Sequence, residues 1–347
     1  MVVIGGFVTI STWRRDLVTS LIGLWIVTGI FIDGWAHVHI LDLIDTFFTP
    51  WHASFYSGVI AFGLWIAFLI RKSGSVSQLP IGYRGGALGV AIFAVGGAID
   101  MLWHTLLGFE ASIDALLSPP HLVLLTGVLL MGTTAWRSQR ASSPTATVPE
   151  LISLTSVVAI TSFFLNYLSP FRWSAPSLAY QEGHNEDIVI MWIGGLLITT
   201  AVLLVPTLWQ LRDGRHRIGT LTAFTLASGI GVSVAMSEGW AAKVLLSGVV
   251  AATLGALAGD LLFARLPWRS WRYGLPAIAA VTMFLVWTLQ LIAYAVTAGV
   301  VWPATLWGGA LLFAGATGAA LASLVWRSPE TPDAAARAEA VKERAAA

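Results

Sequence analysis

Long apolar runs follow one another along this chain, separated by short polar segments. Each run has about 20 residues, the length of helix that crosses about 30 Å of hydrocarbon. We therefore predict an all-α integral membrane protein with about ten transmembrane helices. The predicted spans are residues 17–40, 51–70, 85–107, 119–136, 151–168, 188–209, 218–237, 243–264, 275–298 and 303–326.

The composition agrees with this class. Hydrophobic residues make up 56% of the 347 residues and charged residues only 11%, whereas about a quarter of the residues of a soluble domain are charged. The lipid bilayer is therefore an expected partner. The net charge of +1 gives no reason to expect nucleic-acid binding. Cysteine is absent, which excludes disulfides and thiolate metal ligands.

The basic residues predict how the spans are oriented. Of the 19 Lys and Arg residues, all except Arg172 and Lys243 fall on one side of the predicted spans. Basic residues accumulate on the cytoplasmic side of membrane proteins. We expect five helical hairpins in the cell (inner) membrane, with both termini cytoplasmic and the hairpin tips on the periplasmic or extracellular side.

Most carboxylates and histidines are distributed in the opposite way, at or near the outer ends of the predicted spans. Ionisable groups at membrane depth are costly and by default mark a functional site. Almost no Lys or Arg is available on that side to neutralise the carboxylates. A bound cation is therefore expected there.

Two predicted hairpins carry these residues in the same order. In each, an Asp is followed four residues later by a His; a second Asp then precedes a second His by seven residues and a Gly by thirteen. The residues are Asp33, His37, Asp45, His52 and Gly58 in the first hairpin, and Asp100, His104, Asp114, His121 and Gly127 in the second. The connector from the first His to the second Asp differs, at eight and ten residues. The shared spacing predicts an internal repeat.

The spacing also predicts how the side chains meet. Residues at positions i and i+4 share a helix face, so Asp33 and His37 can point at one ion. The outer turn then returns the chain with His52 near the start of the next helix. Two imidazoles and one carboxylate leave positions open for water, oxygen or substrate. The predicted metal ligands and catalytic residues are Asp33, His37 and His52 in one site and Asp100, His104 and His121 in the other.

Further outer residues are candidates for contacting these ligands rather than the ion. Asp45 and Asp114 are expected to fix an imidazole tautomer or to cap the returning helix. His39, Asp42 and Glu110 are either loop residues or partners of the ligands.

These assignments divide the chain into three parts. Residues 1–140 form a metal-binding transmembrane half with the two repeated hairpins, and residues 141–327 form additional transmembrane hairpins. Residues 328–347 are rich in Ala and charged residues, which predicts a solvated cytoplasmic tail.

Part of this pattern resembles a known family. Asp33 and His37, followed by residues 45–56 (DTFFTPWHASFY), resemble the metal-binding segment of the C subunit of particulate methane and ammonia monooxygenases. Residues 100–105 (DMLWHT) and Pro120-His121 resemble the second metal segment of that subunit, in which Asn replaces Asp100. The resemblance covers about residues 33–127.

The resemblance implies two adjacent copper sites in a monooxygenase-like membrane subunit. Such a protein would oxidise a small apolar substrate with O2, and the substrate would reach the site laterally from the bilayer. The enzymes of this family are assembled from three different subunits, so other membrane subunits are candidate partners and a homo-oligomer is the alternative. The ligand set by itself suits non-haem iron equally well and does not exclude zinc.

Two other functions remain open at this level. One is a metal transport or storage protein without catalysis, although the absence of Cys, the presence of only six Met and the lack of a polar path to the cytoplasm weigh against it. The other is a b-type haem protein that uses two of the outer histidines as axial ligands. An Asp one turn before a His in both hairpins suits a bare ion better.

Overall fold

The computed structural model describes residues 10–40, 49–108, 113–178, 184 and 186–326. Within these ranges all regular structure is helical, so the predicted all-α class is confirmed. In chain order the α-helices are α1 (Trp13–His39), α2 (Pro50–Ser73), α3 (Tyr83–Leu107), α4 (Asp114–Leu117), α5 (Pro119–Gly132), α6 (Thr134–Ser142), α7 (Val148–Phe164), α8 (Glu186–Arg212), α9 (Thr220–Met236), α10 (Gly239–Arg265), α11 (Gly274–Thr297) and α12 (Ala304–Val325).

The lengths of these helices identify a multi-pass membrane protein. In the part of the chain that the structure describes, seven helices are long and apolar enough to cross a membrane, namely α1, α2, α3, α8, α10, α11 and α12. The other three predicted spans correspond to shorter helices, with 14 residues in α5 and 17 each in α7 and α9. At about 1.5 Å per residue, these helices extend only about 21 to 26 Å.

The predicted span at residues 119–136 is interrupted at Thr133. Helix α5 ends at Gly132, and α6 begins at Thr134. The Thr133 hydroxyl donates to the carbonyl oxygen of Leu129 at 2.6 Å and that of Leu130 at 3.3 Å. Such bonds from a Thr side chain to the preceding turn often bend a helix.

One end of the helices, which we call the arginine end, holds Arg140, Arg212 and Arg215. There the carboxylates have strong hydrogen-bond donors. Both carboxylate oxygens of the buried Glu150 accept from the Arg215 guanidinium. The buried Asp260 accepts three backbone N–H bonds at 3.0–3.1 Å from the start of α9 and lies 2.8 Å from His216 Nε2.

The opposite end, which we call the histidine end, holds His37, His52, His104 and His121. Two tightly packed helix pairs, α1 with α2 and α3 with α5, form much of this region. A Cβ added to Gly29 would lie only 2.5 Å from the Phe55 Cα, so a side chain there would prevent this approach of α1 and α2. In the second pair, a Cβ on Gly127 would lie 3.0 Å from the Phe93 backbone nitrogen. Small residues allow close helix packing in membranes.

The buried apolar side chains form two main clusters. The first lies among α1, α2, α3, α5 and part of α7, and the second lies among α7 to α12. Helix α7 contributes to both, with Phe163 in the first cluster and Val158 in the second. The helices that carry the histidines are thereby packed directly against the rest of the molecule.

The contact at Gly29 can be tested by a matched pair of substitutions on α1. Gly29→Ala should lower the thermal stability of the protein in detergent, because overpacking against backbone typically costs about 1–3 kcal/mol. Gly23→Ala is the control, since a Cβ at Gly23 meets nothing within 4 Å in the described chain. Equal melting temperatures for the two variants would contradict this account of the α1–α2 contact.

Candidate metal centre

The first candidate site is built where α1 ends and α2 begins. Asp33 and His37 lie one turn apart on α1, and His52 lies in the first turn of α2. The Thr49 hydroxyl caps α2 by accepting a hydrogen bond from the His52 backbone N–H at 3.1 Å. Nε2 of His37 and Nε2 of His52 then lie 3.7 and 3.6 Å from Asp33 Oδ2. The three side chains therefore meet at one point.

The second candidate site has the same construction on α3 and α5. Asp100 and His104 lie one turn apart near the end of α3, and His121 lies in the first turn of α5. Nε2 of His104 and Nε2 of His121 lie 3.4 and 3.7 Å from Asp100 Oδ1. The two imidazole rings are 5.7 Å apart, compared with 5.6 Å for the pair in the first site.

The structure thus brings together all six predicted ligands in the two predicted groups. Within each group, one candidate ligand atom from each residue lies within 4.8 Å of the other two. Two ligand atoms bound tetrahedrally to one ion at about 2.1 Å lie about 3.4 Å apart. The observed separations of 3.4 to 3.7 Å are therefore close to those of a metal site.

The carboxylates at this end lack the donors that carboxylates have at the arginine end. Oδ1 of Asp33 and Oδ1 of Asp100 are both buried, and neither accepts a hydrogen bond from the described residues. The side chains of the two residues are only 16% and 4% exposed. A buried charged group without a partner is strongly destabilising. The two aspartates are therefore neutralised by a bound cation, by protonated imidazoles or by a proton on the carboxyl group itself.

The tautomer of His104 leaves a ring nitrogen that can bind a cation. Nδ1 of His104 lies 3.2 Å from the Gly108 carbonyl oxygen, which can only accept, so Nδ1 carries a proton. In the neutral ring, Nε2 then directs a lone pair towards the Asp100 carboxylate. The lone pair and the carboxylate repel each other, whereas a cation placed between His104 Nε2 and Asp100 Oδ1 would attract both. The Ser118 hydroxyl, which can donate or accept, lies 2.6 Å from His121 Nδ1 and orients that ring.

Both groups line one cavity of about 380 Å³. Most of the remaining wall is apolar or aromatic, with Phe55, Phe93, Leu124, Phe163 and Met236 among its residues. The cavity therefore combines two possible ion sites with a surface suited to an apolar molecule.

Four polar residues in the wall of this cavity were not identified from the sequence: Tyr56, Asn166, Tyr167 and Arg172. The Arg172 guanidinium donates a hydrogen bond to Asn166 Oδ1 and lies 4.5 Å from the centre of the Tyr167 ring. Burial lowers the pKa of Arg172 from its ordinary value. The sequence did carry a signal for Arg172, because it is one of only two basic residues predicted on the outer side of the membrane.

The structure places His39 away from this cavity. Its Nδ1 lies 2.8 Å from the Trp35 carbonyl oxygen, and its Nε2 lies 3.3 Å from the Ser237 carbonyl oxygen and 3.7 Å from Glu238. His39 therefore joins α1 to the start of α10. In the described chain, the hydroxyl of Ser118, rather than His39, contacts a candidate ligand.

The other candidates for contacting the ligands lie outside the described residues: Asp42, Asp45 and Glu110. Asp114 begins α4, but its side chain is also outside the described part. Their proposed contacts with the imidazoles stay predictions.

The contact between Ser118 and His121 predicts the metal affinity of the second site. With the first site removed by Asp33→Ala and His37→Ala, Ser118→Ala should weaken zinc binding about 10- to 100-fold, as is usual when a group that orients a ligand imidazole is lost. Titration calorimetry measures this change. Thr126→Ala is the control, because that hydroxyl of α5 donates to the Leu122 carbonyl. If both variants bind zinc equally well, Ser118 does not orient the ligand.

Comparison of this chain with models of protein families, with curated proteins and with solved structures found no match.

Proposed function

We propose that this chain is a membrane metalloprotein that holds two metal ions in one cavity and oxidises a small apolar molecule with O2. The observation that carries the proposal is the pair of Asp/His/His groups in a single, largely apolar cavity. Three protein ligands leave positions on each ion for O2 or substrate. The buried carboxylate oxygens without donors supply the electrostatic reason for the ions.

We propose copper as the metal. Two imidazoles and a carboxylate suit copper, non-haem iron and zinc, so the ligand set does not decide among them. Copper is favoured by the resemblance of Asp33, His37 and residues 45–56 to the C subunit of copper membrane monooxygenases. Iron remains the first alternative, since two His and one carboxylate also form the site of many iron oxygenases.

The proposed reaction is a monooxygenation. One oxygen atom of O2 enters a C–H bond of the substrate to give an alcohol, and the other leaves as water, with two electrons from an external reductant and two protons. The bound metal would supply the chemistry of O2 reduction. The protein would hold the imidazoles and carboxylates in place and surround the substrate with apolar side chains such as Phe93 and Phe163.

Two alternatives have less support. In a haem protein the axial imidazoles lie on opposite faces of the macrocycle, whereas His37 and His52 both direct Nε2 at the same oxygen of Asp33. For a transporter, the cavity should continue towards the arginine end. Among the described residues, its wall beyond the metal groups includes the apolar Leu124 and Val128.

Both metal groups are proposed to lie on the periplasmic or extracellular side, with both termini in the cytoplasm. The positions of the basic residues support this orientation. We propose that the long apolar helices are embedded in the lipid bilayer. We propose other membrane subunits as partners, with a homo-oligomer as the alternative.

Metal analysis of purified protein tests the central claim. Wild-type protein from cells supplied with copper should contain two ions per chain, and His37→Ala and His104→Ala should each lose one ion, because each removes one of three ligands. Plasma mass spectrometry measures the ratio, and anomalous scattering at the copper edge locates the ions. His39→Ala is the matched control, since its ring contacts Ser237 and Glu238 instead. A metal content that does not change in the His37 and His104 variants would refute the proposal.

The orientation can be tested because the chain has no cysteine. Single cysteines at the exposed Ala298, at the histidine end, and at the exposed Ser77, at the arginine end, can be labelled with a membrane-impermeant maleimide. In intact cells Ala298→Cys should react, and Ser77→Cys should react only after the membrane is permeabilised. The reverse result would place the metal groups on the cytoplasmic side.

A further inference from the structure

A second cavity, of about 800 Å³, lies between α2 and α3 on the outside of the helix bundle. We call it the α2–α3 groove. On α3 it is lined by Ala94, Gly97, Ala98 and Met101, whose spacing of three, one and three residues places them on one helix face. Three of these residues, Ala94, Gly97 and Ala98, are small, so α3 leaves space along this face for a small molecule.

The groove lies at the part of the α2–α3 contact that is nearer the histidine end. Nearer the arginine end the two helices are close, since a Cβ on Gly86 would lie 3.4 Å from the Phe62 ring and a Cβ on Gly63 would lie 3.5 Å from Val90. Near the histidine end, the side chain of Tyr56 extends towards α3, and a Cβ on Gly97 would lie 3.9 Å from its hydroxyl oxygen. At this level α2 packs against α1, where a Cβ on Gly29 would lie 2.5 Å from Phe55 Cα, and α3 packs against α5, where a Cβ on Gly96 would lie 3.1 Å from the Leu124 side chain.

The mouth of the groove is in a position to face lipid. Helices α2 and α3 are both candidate membrane spans. Ile60 is 61% exposed and Met101 is 46% exposed, and both are apolar residues that line the groove. Apolar side chains exposed on a membrane span face the hydrocarbon rather than water.

The inner wall of the groove is also a wall of the metal cavity. Three residues line both spaces: His52, Tyr56 and Phe93. His52 is one of the candidate ligands, and Tyr56 is stacked on Phe55 with a ring separation of 4.3 Å and lies 5.9 Å from the Phe93 ring. The aromatic ring of Tyr56 therefore stands between the lipid-facing groove and the metal cavity.

We propose that the α2–α3 groove is the route by which a small apolar molecule passes from the bilayer to the metal cavity, and that Tyr56 is the side chain that controls this passage. The inference rests on the proposed function and adds to it the route and a residue that determines specificity. A molecule that takes this route has no charge and partitions into lipid, because the groove offers it mainly apolar contacts. Small polar ligands reach the metals from the water-exposed side, where the His37 side chain is 40% exposed.

Two isocyanides with the same metal-binding carbon atom distinguish the two routes. The n-hexyl isocyanide partitions into lipid, whereas isocyanoacetate is charged and stays in water. Their binding to copper(I)-loaded protein in lipid nanodiscs is followed by the shift of the isocyanide stretching band after rapid mixing. Gly97→Leu should slow binding of the hexyl compound by about tenfold or more, which corresponds to a barrier about 1.4 kcal/mol higher. The rate for isocyanoacetate should stay the same.

Two further variants complete the experiment. Tyr56→Ala should speed binding of the hexyl compound, since it removes the ring between the two spaces. Gly194→Leu is the control for a glycine-to-leucine change on another candidate span, because a Cβ at Gly194 meets nothing within 4 Å in the described chain. It should leave both rates unchanged.

The outcomes separate the route from the proposed function. If Gly97→Leu slows both isocyanides equally, or slows neither, the α2–α3 groove is not the route. If the wild-type protein binds no copper, the proposed function itself fails and the route falls with it. Slower binding of the hexyl compound alone supports the inference.

Discussion

Two carboxylates that face imidazoles, each with one buried oxygen, impose the strongest constraint on this molecule. Asp33 and Asp100 each have a buried oxygen without a hydrogen-bond donor, and no Lys or Arg of the described chain forms an ion pair with either. At the other end of the bundle, Glu150 is fully buried but is matched by Arg215. The contrast shows that this protein can neutralise a buried acid with a guanidinium. At the histidine end the positive charge has to come from elsewhere.

The helix packing delivers these groups to one place. Gly29 and Gly127 let α1 meet α2 and α3 meet α5 at backbone distance, so the first turn of one helix reaches the last turns of its partner. An Asp and a His from one helix and a His from the other can then converge without a long loop. The same contact pattern in both pairs explains why the geometry of the two groups is so similar.

Much of the fold and the metal groups could be predicted from the sequence because both depend on local spacing. The length of an apolar run sets a membrane span, and a separation of four residues places Asp33 beside His37. His39 could also have been excluded in this way, because two residues further along a helix means a rotation of about 200° away from His37. The break at Thr133 was missed because it lies inside a continuous apolar run.

The rest of the cavity could not be predicted, since it depends on contacts between distant segments. Phe163 and Met236 come from α7 and α9, more than a hundred residues after Asp33, and no spacing rule connects them. Tyr56 was visible in the sequence, but its position between two cavities depends on how α2 and α3 pack together. The two helix pairs carry their Asp and His residues at the same spacing, but that spacing does not determine how one pair packs against the other.

The short segment after α7 shows how the two halves of the molecule depend on each other. Asn166 and Arg172 belong to this segment and form part of the wall of the cavity. The segment is held in place by later helices, since Ser233 of α9 donates to the Phe171 carbonyl and Tyr294 of α11 donates to the Pro170 carbonyl. Helices α9 and α11, which carry no candidate metal ligand, therefore position this part of the cavity wall. A change in the tilt of α9 or α11 would be transmitted through these carbonyls to the wall of the cavity that holds the two Asp/His/His groups.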